Sequence, residues 1–206
     1  MIKQTSNEYE HQYWNEEQVL IGIDEAGRGP LAGPLVVAGV VFEKGYENPL
    51  IYDSKGISEK KREELFKVII QDAKEYKIEI VTPKQIDEEN IYRATQHAMN
   101  RIATTLHSDI VLTDAMPLPG QEKKVIDLIK GDQKSISIAA ASILAKVVRD
   151  HIMFGYDILY PDYGFKKHKG YPTKQHIEAL DTYGVLDIHR RSYGPVKRCL
   201  QIKLEL

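Results

Sequence analysis

Two apolar runs near the start of the chain predict a pair of neighbouring strands. Residues 18–24, QVLIGID, have the near-continuous apolar pattern of a buried strand. Residues 35–42, LVVAGVVF, are rich in β-branched side chains, which favour a second strand. Because the connection between the two runs is rich in glycine and proline, we expect them to pair antiparallel.

The middle of the chain alternates between helical and extended patterns. Residues 56–76 place apolar side chains at helical spacing after Ser58, a favoured N-cap residue. Residues 77–82 alternate apolar and polar side chains, as a half-buried strand does. A single helix is predicted next, from Pro83 to about His107.

The second half predicts two more strands and two more helices. Residues 109–114, DIVLTD, and residues 123–130, KKVIDLIK, have the length and composition of strands. Residues 135–160 predict a long helix, and its run of three alanines and Ser142 is small enough for another element, expected to be the sheet, to approach closely. A short helix covers about residues 173–183, and the final HRRSYGPVK has no clear periodicity. The order β, β, α, β, α, β, β, α, α predicts a mixed α/β sheet with helices on its faces.

Length and composition fit one globular domain. The chain has 206 residues, of which 42% are hydrophobic, and we expect a domain over residues 19–206 after an N-terminal extension of residues 1–18. No apolar run approaches the ~18 residues that a bilayer span needs, and the polar N-terminus lacks the centre of a secretory signal. The single cysteine, Cys199, excludes an intramolecular disulfide and a Cys-type zinc site. A cytoplasmic location is therefore expected.

The net charge of −2 does not by itself indicate a nucleic-acid-binding protein. Basic residues nevertheless cluster in the last third of the chain, at residues 166–170, 189–191 and 196–198. Such clusters are either ordinary solvated surface or, beside a phosphate-handling site, contacts to a nucleic-acid backbone.

Acidic residues fall where predicted strands end. Asp24 ends the first strand, Asp114 ends the fourth, and Asp132 lies just beyond the fifth. If these strands are neighbours, the three carboxylates converge on the edge where open α/β sheets hold ligands. Glu25 can join them only if the strand ends or kinks there, for which residues 27–30, GRGP, give the backbone freedom. The alternative is structural, because acids at strand ends also serve turns and caps, and Asp132 could cap the following helix.

Four converging carboxylates predict a site for hard divalent cations. Packed together they raise one another's pKa, and a cation relieves the repulsion. Ligands that offer only oxygen favour Mg²⁺ or Mn²⁺ over zinc. Two such ions about 3.5–4 Å apart can stabilise the attacking and leaving oxygens of a phosphoryl displacement. The acids therefore indicate a metal-dependent nuclease or phosphatase.

Five motifs, in order, resemble those of bacterial ribonuclease HII over residues 22–196. They are GIDEAGRGPLAGPLVVAGVV, DSKGIS, KGDQKSISIAAASILAKVVRD, YGFKKHKGYPT and HRRSYGPV. The resemblance implies a ribonuclease H-like fold, with a five-stranded mixed sheet in the order 3-2-1-4-5, flanking helices and a C-terminal helical extension. It also implies an endonuclease that cuts the RNA strand of RNA–DNA hybrids and cuts 5′ to single ribonucleotides in duplex DNA. Such an enzyme removes misincorporated ribonucleotides and RNA primers, leaves 3′-hydroxyl and 5′-phosphate ends, and requires Mg²⁺ or Mn²⁺.

The resemblance also assigns site residues. The catalytic and metal-binding acids would be Asp24, Glu25, Asp114 and Asp132. The substrate-binding residues would be Gly27, Arg28 and Gly29 at the ribonucleotide, Tyr171 stacked on the following sugar, and Lys55 and Lys146 near the phosphates. Tyr163 is an alternative for the stacking ring, and for both lysines a solvated surface position is the alternative.

Two features favour type HII over the related ribonuclease HIII, which usually carries an additional N-terminal domain and a glutamate at the fourth acidic position. Here about 18 residues precede the first strand, and the fourth acid is Asp132. The resemblance further suggests a monomer. Two rival hypotheses are a nuclease of the same fold that acts on another substrate, such as branched DNA, and a non-catalytic protein that binds hybrids.

Overall fold

The structure, a computed structural model, describes residues 5–202, apart from the side chains of Lys55 and Ile202. Five strands lie within this part of the chain: β1 (Leu20–Ala26), β2 (Leu35–Val41), β3 (Glu75–Val81), β4 (Ile110–Asp114) and β5 (Lys124–Leu128). They form one sheet in the order β3-β2-β1-β4-β5. β1 pairs antiparallel with β2 and parallel with β4, which pairs parallel with β5. The predicted mixed α/β class and strand order are confirmed.

Helices connect the strands and make up most of the C-terminal third. They are α1 (Glu8–Asn15), α2 (Glu59–Asp72), α3 (Pro83–Glu89), α4 (Ile91–Thr105), α5 (Ile136–Leu159), α6 (Phe165–His168), α7 (Lys174–Tyr183) and α8 (Gly194–Ile202). Short 3₁₀ turns cover Ser54–Gly56, Gly131–Gln133 and Pro161–Tyr163. Ser58 caps α2 as predicted, since its side chain accepts from the amide of Lys61. Among the described helices, none combines the length and apolar character that crossing a bilayer would need.

The prediction of a single helix from Pro83 to about His107 is wrong, because α3 and α4 divide at Asn90. The backbone of Asn90 has φ 64°, a left-handed conformation that stops α3. Its side-chain oxygen then accepts hydrogen bonds from the amides of Tyr92 and Arg93 at 3.0 and 3.1 Å. One residue therefore ends the first helix and caps the second.

Helices α1 and α8 have no counterpart in the sequence prediction, and neither does the four-residue α6. Tyr13 and Trp14 of α1 are buried. Val196 of α8 packs in a buried cluster with Leu31 and Leu180. Both helices are short, and tertiary packing rather than a long apolar repeat holds them in place.

The contacts of the chain divide into two units. Within the described part of the chain, the first comprises residues 5–26, 36–79 and 95–147. One of its core clusters joins α1 to the sheet through Tyr13, Leu20, Ile110, Leu112, Leu128 and Ile138. Gly22 of β1 lies so close to α5 that a Cβ there would overlap the backbone of Ser137 and Ile138. The expected close approach of the sheet to the small-residue end of this helix is confirmed.

The second unit comprises residues 27–35, 80–94 and, as far as the structure describes it, 148–202. Its main cluster of buried residues consists of Ala32, Met153, Tyr163, Phe165, Ala179 and Ile188. Two of its members are aromatic, and the Tyr163 and Phe165 rings are stacked at 5.3 Å between centroids. The division into an extension of residues 1–18 and one domain of residues 19–206 stays a prediction.

Candidate active site

Strand register brings the first and third predicted acids to the same edge of the sheet. The parallel pairing of β1 with β4 runs to Ile23 opposite Thr113, and Asp24 and Asp114 are the next residues on the two strands. The strand does not end at Glu25, because β1 stays paired with β2 through Ala26. Glu25 is nonetheless close enough to Asp24 for their charges to interact.

Asp24 lies at the centre of this group of acids and is 5% exposed. Burial raises the pKa of its carboxyl well above the usual range, and the negative charges of Glu25 and Asp114 raise it further. Two donors oppose this shift, namely the hydroxyl of Ser142 and the amide of Glu25, which lies 2.7 Å from Asp24 Oδ1. The site therefore concentrates negative charge that water does not fully screen.

Ser142 is a partner of Asp24 that the sequence interpretation missed. Its hydroxyl oxygen lies 3.0 Å from that of Ser54, so the 3₁₀ turn Ser54–Gly56 sits against α5. Because Ser142 donates to Asp24, the hydrogen of the Ser54 hydroxyl is directed to Ser142. Ser142 appears in the sequence only as a small residue after three alanines, which gives no sign of this role.

Asp132 is brought towards the other acids through its neighbour Gly131. The amide of Gly131 donates to Asp114 Oδ1 at 2.8 Å, and a Cβ on Gly131 would lie 3.5 Å from the Cα of Asp114. Asp132 itself is 7% exposed. The cap at the start of α5 comes from Ser135, whose hydroxyl accepts from the amide of Ile138 at 3.1 Å.

The N-terminal segment holds the stretch that carries Asp132. The amide and hydroxyl of Ser6 donate to the carbonyls of Gln133 and Lys134, at 3.2 and 3.3 Å. Glu10 is fully buried, and its carboxylate accepts from the hydroxyl of Ser135 and, at 3.1 Å, from the amide of Ser137. Residues before the first strand thus contact the neighbourhood of the fourth acid.

The donor set fits a hard divalent cation, although no three His, Cys, Asp or Glu side chains form a ready-made metal cage within residues 5–202. All four predicted ligands offer carboxylate oxygen, which Mg²⁺ and Mn²⁺ prefer. The interaction of Asp24 with Glu25 and Asp114 is a repulsion that a cation would relieve. Because Mg²⁺ keeps several waters and takes phosphate oxygens as ligands, an incomplete protein cage is compatible with it.

The Gly-Arg-Gly stretch is a turn that its glycines make possible. Gly27 has φ 103°, and a Cβ there would overlap the guanidinium of Arg149. Gly29 faces a ring instead, since a Cβ on it would lie 3.4 Å from Cε1 of Tyr171. Arg28, between them, is exposed. The structure therefore brings together Gly29 and Tyr171, two of the predicted substrate-binding residues.

Two buried arginines hold the backbone between Gly27 and Pro34, and the sequence interpretation missed both. Arg190 donates to the carbonyls of Gly27, Arg28 and Gly33. Arg149 donates to the carbonyls of Ala32, Pro34 and Lys169. The basic cluster at residues 189–191 was expected at the surface or on phosphates, whereas His189 and Arg190 are buried. His168, in the cluster at residues 166–170, is buried as well.

Exposure separates the two tyrosines that could stack on a sugar. Tyr171 is 45% exposed and faces Gly29. Tyr163 is 3% exposed, and its hydroxyl donates to the carbonyl of Gly184 at 2.6 Å. Tyr171 is therefore the ring available to a substrate.

The two predicted lysines are placed differently. Lys146 is half-buried on α5, one turn after Ser142, so the two share a face of the helix. The backbone of Lys55 lies in the turn Ser54–Gly56, which is held by the hydrogen bond between Ser54 and Ser142. The side chain of Lys55 is outside the described part of the structure, so its role stays a prediction.

Comparisons with known proteins agree on one family. A family model described as Ribonuclease HII matches residues 21–196. A protein named Ribonuclease HII from Francisella tularensis subsp. novicida (strain U112) is 52% identical over 184 residues, covering 88% of this chain and 100% of that protein. Another of that name, from Clostridioides difficile (strain 630), is 51% identical over 193 residues, covering 92% of this chain and 76% of that protein.

A solved structure supports the same relationship at the level of the fold. The crystal structure of ribonuclease H2 from Pyrococcus horikoshii OT3 matches with a TM-score of 0.78 at 27% identity. The match covers 91% of this chain and 100% of that chain. Similarity in sequence and in three dimensions therefore extends over nearly the whole chain.

Proposed function

Because the chain belongs to the ribonuclease HII family and is therefore a ribonuclease H enzyme, we propose that it cuts both RNA–DNA hybrids and DNA containing single ribonucleotides. In hybrids it hydrolyses the RNA strand, and in duplex DNA it cuts on the 5′ side of an embedded ribonucleotide. Its partner is nucleic acid, on which it acts as a monomer in the cytoplasm. Its role is to remove misincorporated ribonucleotides and RNA primers.

One observation carries the proposal: Asp24, Glu25 and Asp114 interact at the end of β1, beside the segment that presents Asp132. These four side chains are the residues that would hold Mg²⁺ or Mn²⁺. Two bound ions would supply positive charge at the attacking and leaving oxygens of an in-line displacement, which yields 3′-hydroxyl and 5′-phosphate ends. Without bound cations the same acids would repel the phosphates of a substrate, which argues against a purely binding function.

Neighbouring hydrogen-bond donors hold two of the carboxylates in position. Asp24 is fixed by the hydroxyl of Ser142 and by the amide of Glu25. Asp114 is fixed by the amide of Gly131. Side chains held in this way need little reorganisation when charge develops in the transition state.

Recognition of the ribose belongs to the turn after β1. The 2′-hydroxyl marks a ribonucleotide at any sequence, because it both donates and accepts hydrogen bonds. Gly27 allows the backbone to turn, the exposed Gly29 leaves its peptide group open to close approach, and the exposed Arg28 can form charge-assisted bonds to a phosphate. Tyr171, packed on Gly29, would stack on the following sugar and exclude a 2′-hydroxyl there. The preferred cut is then at a ribonucleotide whose 3′ neighbour is deoxyribose.

An end-labelled duplex with a single ribonucleotide tests this proposal. We expect cutting on its 5′ side with Mg²⁺ or Mn²⁺ and none with a chelator. Asp24→Asn should lower the rate by about a hundredfold to a thousandfold, since it removes a charge that holds the cations. The matched control is Asp127→Asn, because Asp127 is an exposed aspartate on β5 of the same sheet.

Three results would contradict the proposal. Cutting that survives the chelator would exclude the role of the four acids. If the enzyme left the ribonucleotide duplex intact but cut branched DNA, the protein would be a nuclease of the same fold that acts on another substrate. Binding of the hybrid without divalent ions, followed by no cutting when Mg²⁺ or Mn²⁺ is added, would indicate a non-catalytic protein.

A further inference from the structure

Three histidines form a buried stack beside the backbone of Tyr171, and the proposed chemistry does not use them. His168 ends α6, His176 lies in the first turn of α7, and His189 precedes α8. All three are buried. The rings of His168 and His176 are stacked at 4.6 Å between centroids, and those of His176 and His189 are 5.3 Å apart.

Hydrogen bonds determine which nitrogen carries the hydrogen in two of these rings. Together they form a relay of hydrogen bonds from His189 through His176 to the backbone of Tyr171. The amide of Leu186 donates to Nδ1 of His189 at 3.0 Å, so the hydrogen of this ring lies on Nε2. That nitrogen is 3.1 Å from Nε2 of His176, which must accept. The hydrogen of His176 therefore lies on Nδ1, from which it donates to the carbonyl of Tyr171 at 3.0 Å.

The third histidine holds the peptide before the tyrosine. The amide of Gly170 donates to Nδ1 of His168 at 3.2 Å, and Nε2 of His168 donates to the carbonyl of Tyr163 at 2.8 Å. The amide of Tyr171 in turn donates to the carbonyl of His168 at 2.9 Å. The backbone of residues 170–171 is thus tied to the histidine stack at several points.

Other contacts lock the same segment to the ribose-reading turn. The carbonyl of Gly170 accepts from the amide of Leu31 at 2.8 Å. A Cβ on Gly170 would lie 2.5 Å from the carbonyl oxygen of Ala32. Because Gly29 faces the Tyr171 ring, a shift of the tyrosine backbone would change the gap between ring and glycine.

We propose that His176, with its tautomer set by His189, is a positioning residue that fixes the Tyr171 ring and so determines the preference for deoxyribose after the ribonucleotide. The inference rests on the proposed function and extends it to residues that never touch the substrate. Hydrogen bonds to the amide and the carbonyl of Tyr171 fix the backbone that carries the ring. A ring carried by a fixed backbone can exclude a single oxygen atom. A ring free to move would tolerate one.

The neutral state that the relay requires is supported by its surroundings. Burial lowers the pKa of His176 and of His189 to about 4. Each ring also disfavours a charge on its neighbour, since His168 lowers the pKa of His176 and His176 lowers that of His189. The hydrogen bond that His176 donates to the carbonyl of Tyr171 acts in the opposite direction.

The test compares two duplexes that differ by one oxygen atom. Both carry one ribonucleotide at the cut site, followed in one by deoxyribose and in the other by ribose. His176→Phe keeps a ring in the stack but removes both nitrogens. We expect the kcat/KM ratio between the two duplexes to fall about tenfold, since small misplacements of a positioned group are costly. Cutting at the first ribonucleotide of the duplex with two ribonucleotides should not fall, because the acids are untouched and a ring that is free to move tolerates the additional 2′-hydroxyl.

Three further variants separate positioning from general damage. His176→Asn should recover most of the preference, because the amide nitrogen of asparagine can take the place of Nδ1. Tyr171→Ala should abolish the preference, and adding His176→Phe to it should cause no additional loss. His107→Phe, at an exposed histidine, should leave the preference unchanged. His189→Leu tests the relay from its other end if His176→Phe does not fold.

The outcomes that overturn the relay are distinct from those that overturn the function. A folded His176→Phe enzyme with the wild-type preference would exclude the relay. So would equal losses on both duplexes, or losses that add in the double variant. A wild-type enzyme that shows no preference would overturn the proposed specificity itself, and the relay with it.

Discussion

At the scale of single residues, Arg190 shows how a charged side chain can serve the backbone rather than a ligand. Its guanidinium is fully buried and donates to three carbonyls of the turn after β1. It also donates to the hydroxyl of Tyr193, and that hydroxyl donates to the carbonyl of Arg28. A planar group with five donors can satisfy several carbonyls at once, which an ammonium cannot do with the same geometry.

Arg190→Lys should therefore destabilise the protein even though it keeps the charge. The variant leaves carbonyls of the turn without their donors in a buried place, and we expect a loss of about 2–4 kcal/mol in the free energy of unfolding. Urea denaturation measures this loss. Arg191→Lys is the matched control, because Arg191 is exposed and pairs on the surface with Asp187. A similar stability for both variants would contradict the role given to Arg190.

The sequence indicated the acids and glycines of the candidate site but not the side chains that support them. Acids stand out because a buried strand rarely ends in two carboxylates, as at Asp24 and Glu25, without a reason. Glycines stand out because they allow a positive φ, as at Gly27. Serine and arginine are also common on solvated surfaces. Only their burial distinguishes Ser142 and Arg190 from ordinary surface residues of the same types. Burial depends on the fold and is not visible in one short motif.

At the scale of elements, strands were more predictable than helix boundaries. Strand patterns depend on burial on both faces, which leaves continuous apolar runs such as β2. The division at Asn90 depends on one side chain that caps α4 while its own backbone turns left-handed. In the sequence, a single polar residue within a helical apolar repeat does not indicate that the helix is interrupted there. Helix α1 escaped prediction because it has only eight residues, and contacts distant in sequence stabilise it.

Glu10 is the residue through which α1 contributes to the site. Glu10→Ala removes the acceptor for the hydroxyl of Ser135 and the amide of Ser137. We expect a loss of about 2–3 kcal/mol in the free energy of unfolding, because buried donors are left unsatisfied. Glu8→Ala is the control, since Glu8 is an exposed acid on the same helix. Chemical denaturation of the two variants checks the prediction, and an equal effect would exclude a specific role for Glu10.

At the scale of the whole molecule, the charge of the last third is only partly available to a nucleic acid. Lys166, Lys167, Arg191, Lys197 and Arg198 are exposed, so for them both an ordinary solvated surface and contacts to phosphates stay predictions. His168 and His189 belong instead to the histidine stack, and Arg190 supports the turn. Composition counts charges correctly, but it cannot assign them to surface or core. A net charge of −2 is therefore compatible with a nucleic-acid enzyme.

The buried histidines also couple the stability of the whole molecule to pH. His176 and His189 have a pKa of about 4 in the fold, against an ordinary value of 6.5, because burial disfavours their charged forms. Between these values the unfolded chain binds protons that the folded protein does not. Stability is therefore fully present above about pH 6.5 and falls as the pH drops towards 4. Each histidine contributes a slope on the order of 1.4 kcal/mol per pH unit.

Urea denaturation from pH 7.5 to 4.5 measures this slope in wild type and in His176→Phe. The variant lacks one titrating ring, so its stability should fall less steeply with acid by about one proton's contribution. His107→Phe, which removes an exposed histidine, should keep the wild-type slope. The raised pKa of Asp24 acts in the opposite direction, but it is common to all three proteins and cancels in the comparison. Identical slopes in wild type and His176→Phe would mean that His176 is not held neutral by the fold, and the tautomer argument would lose its basis.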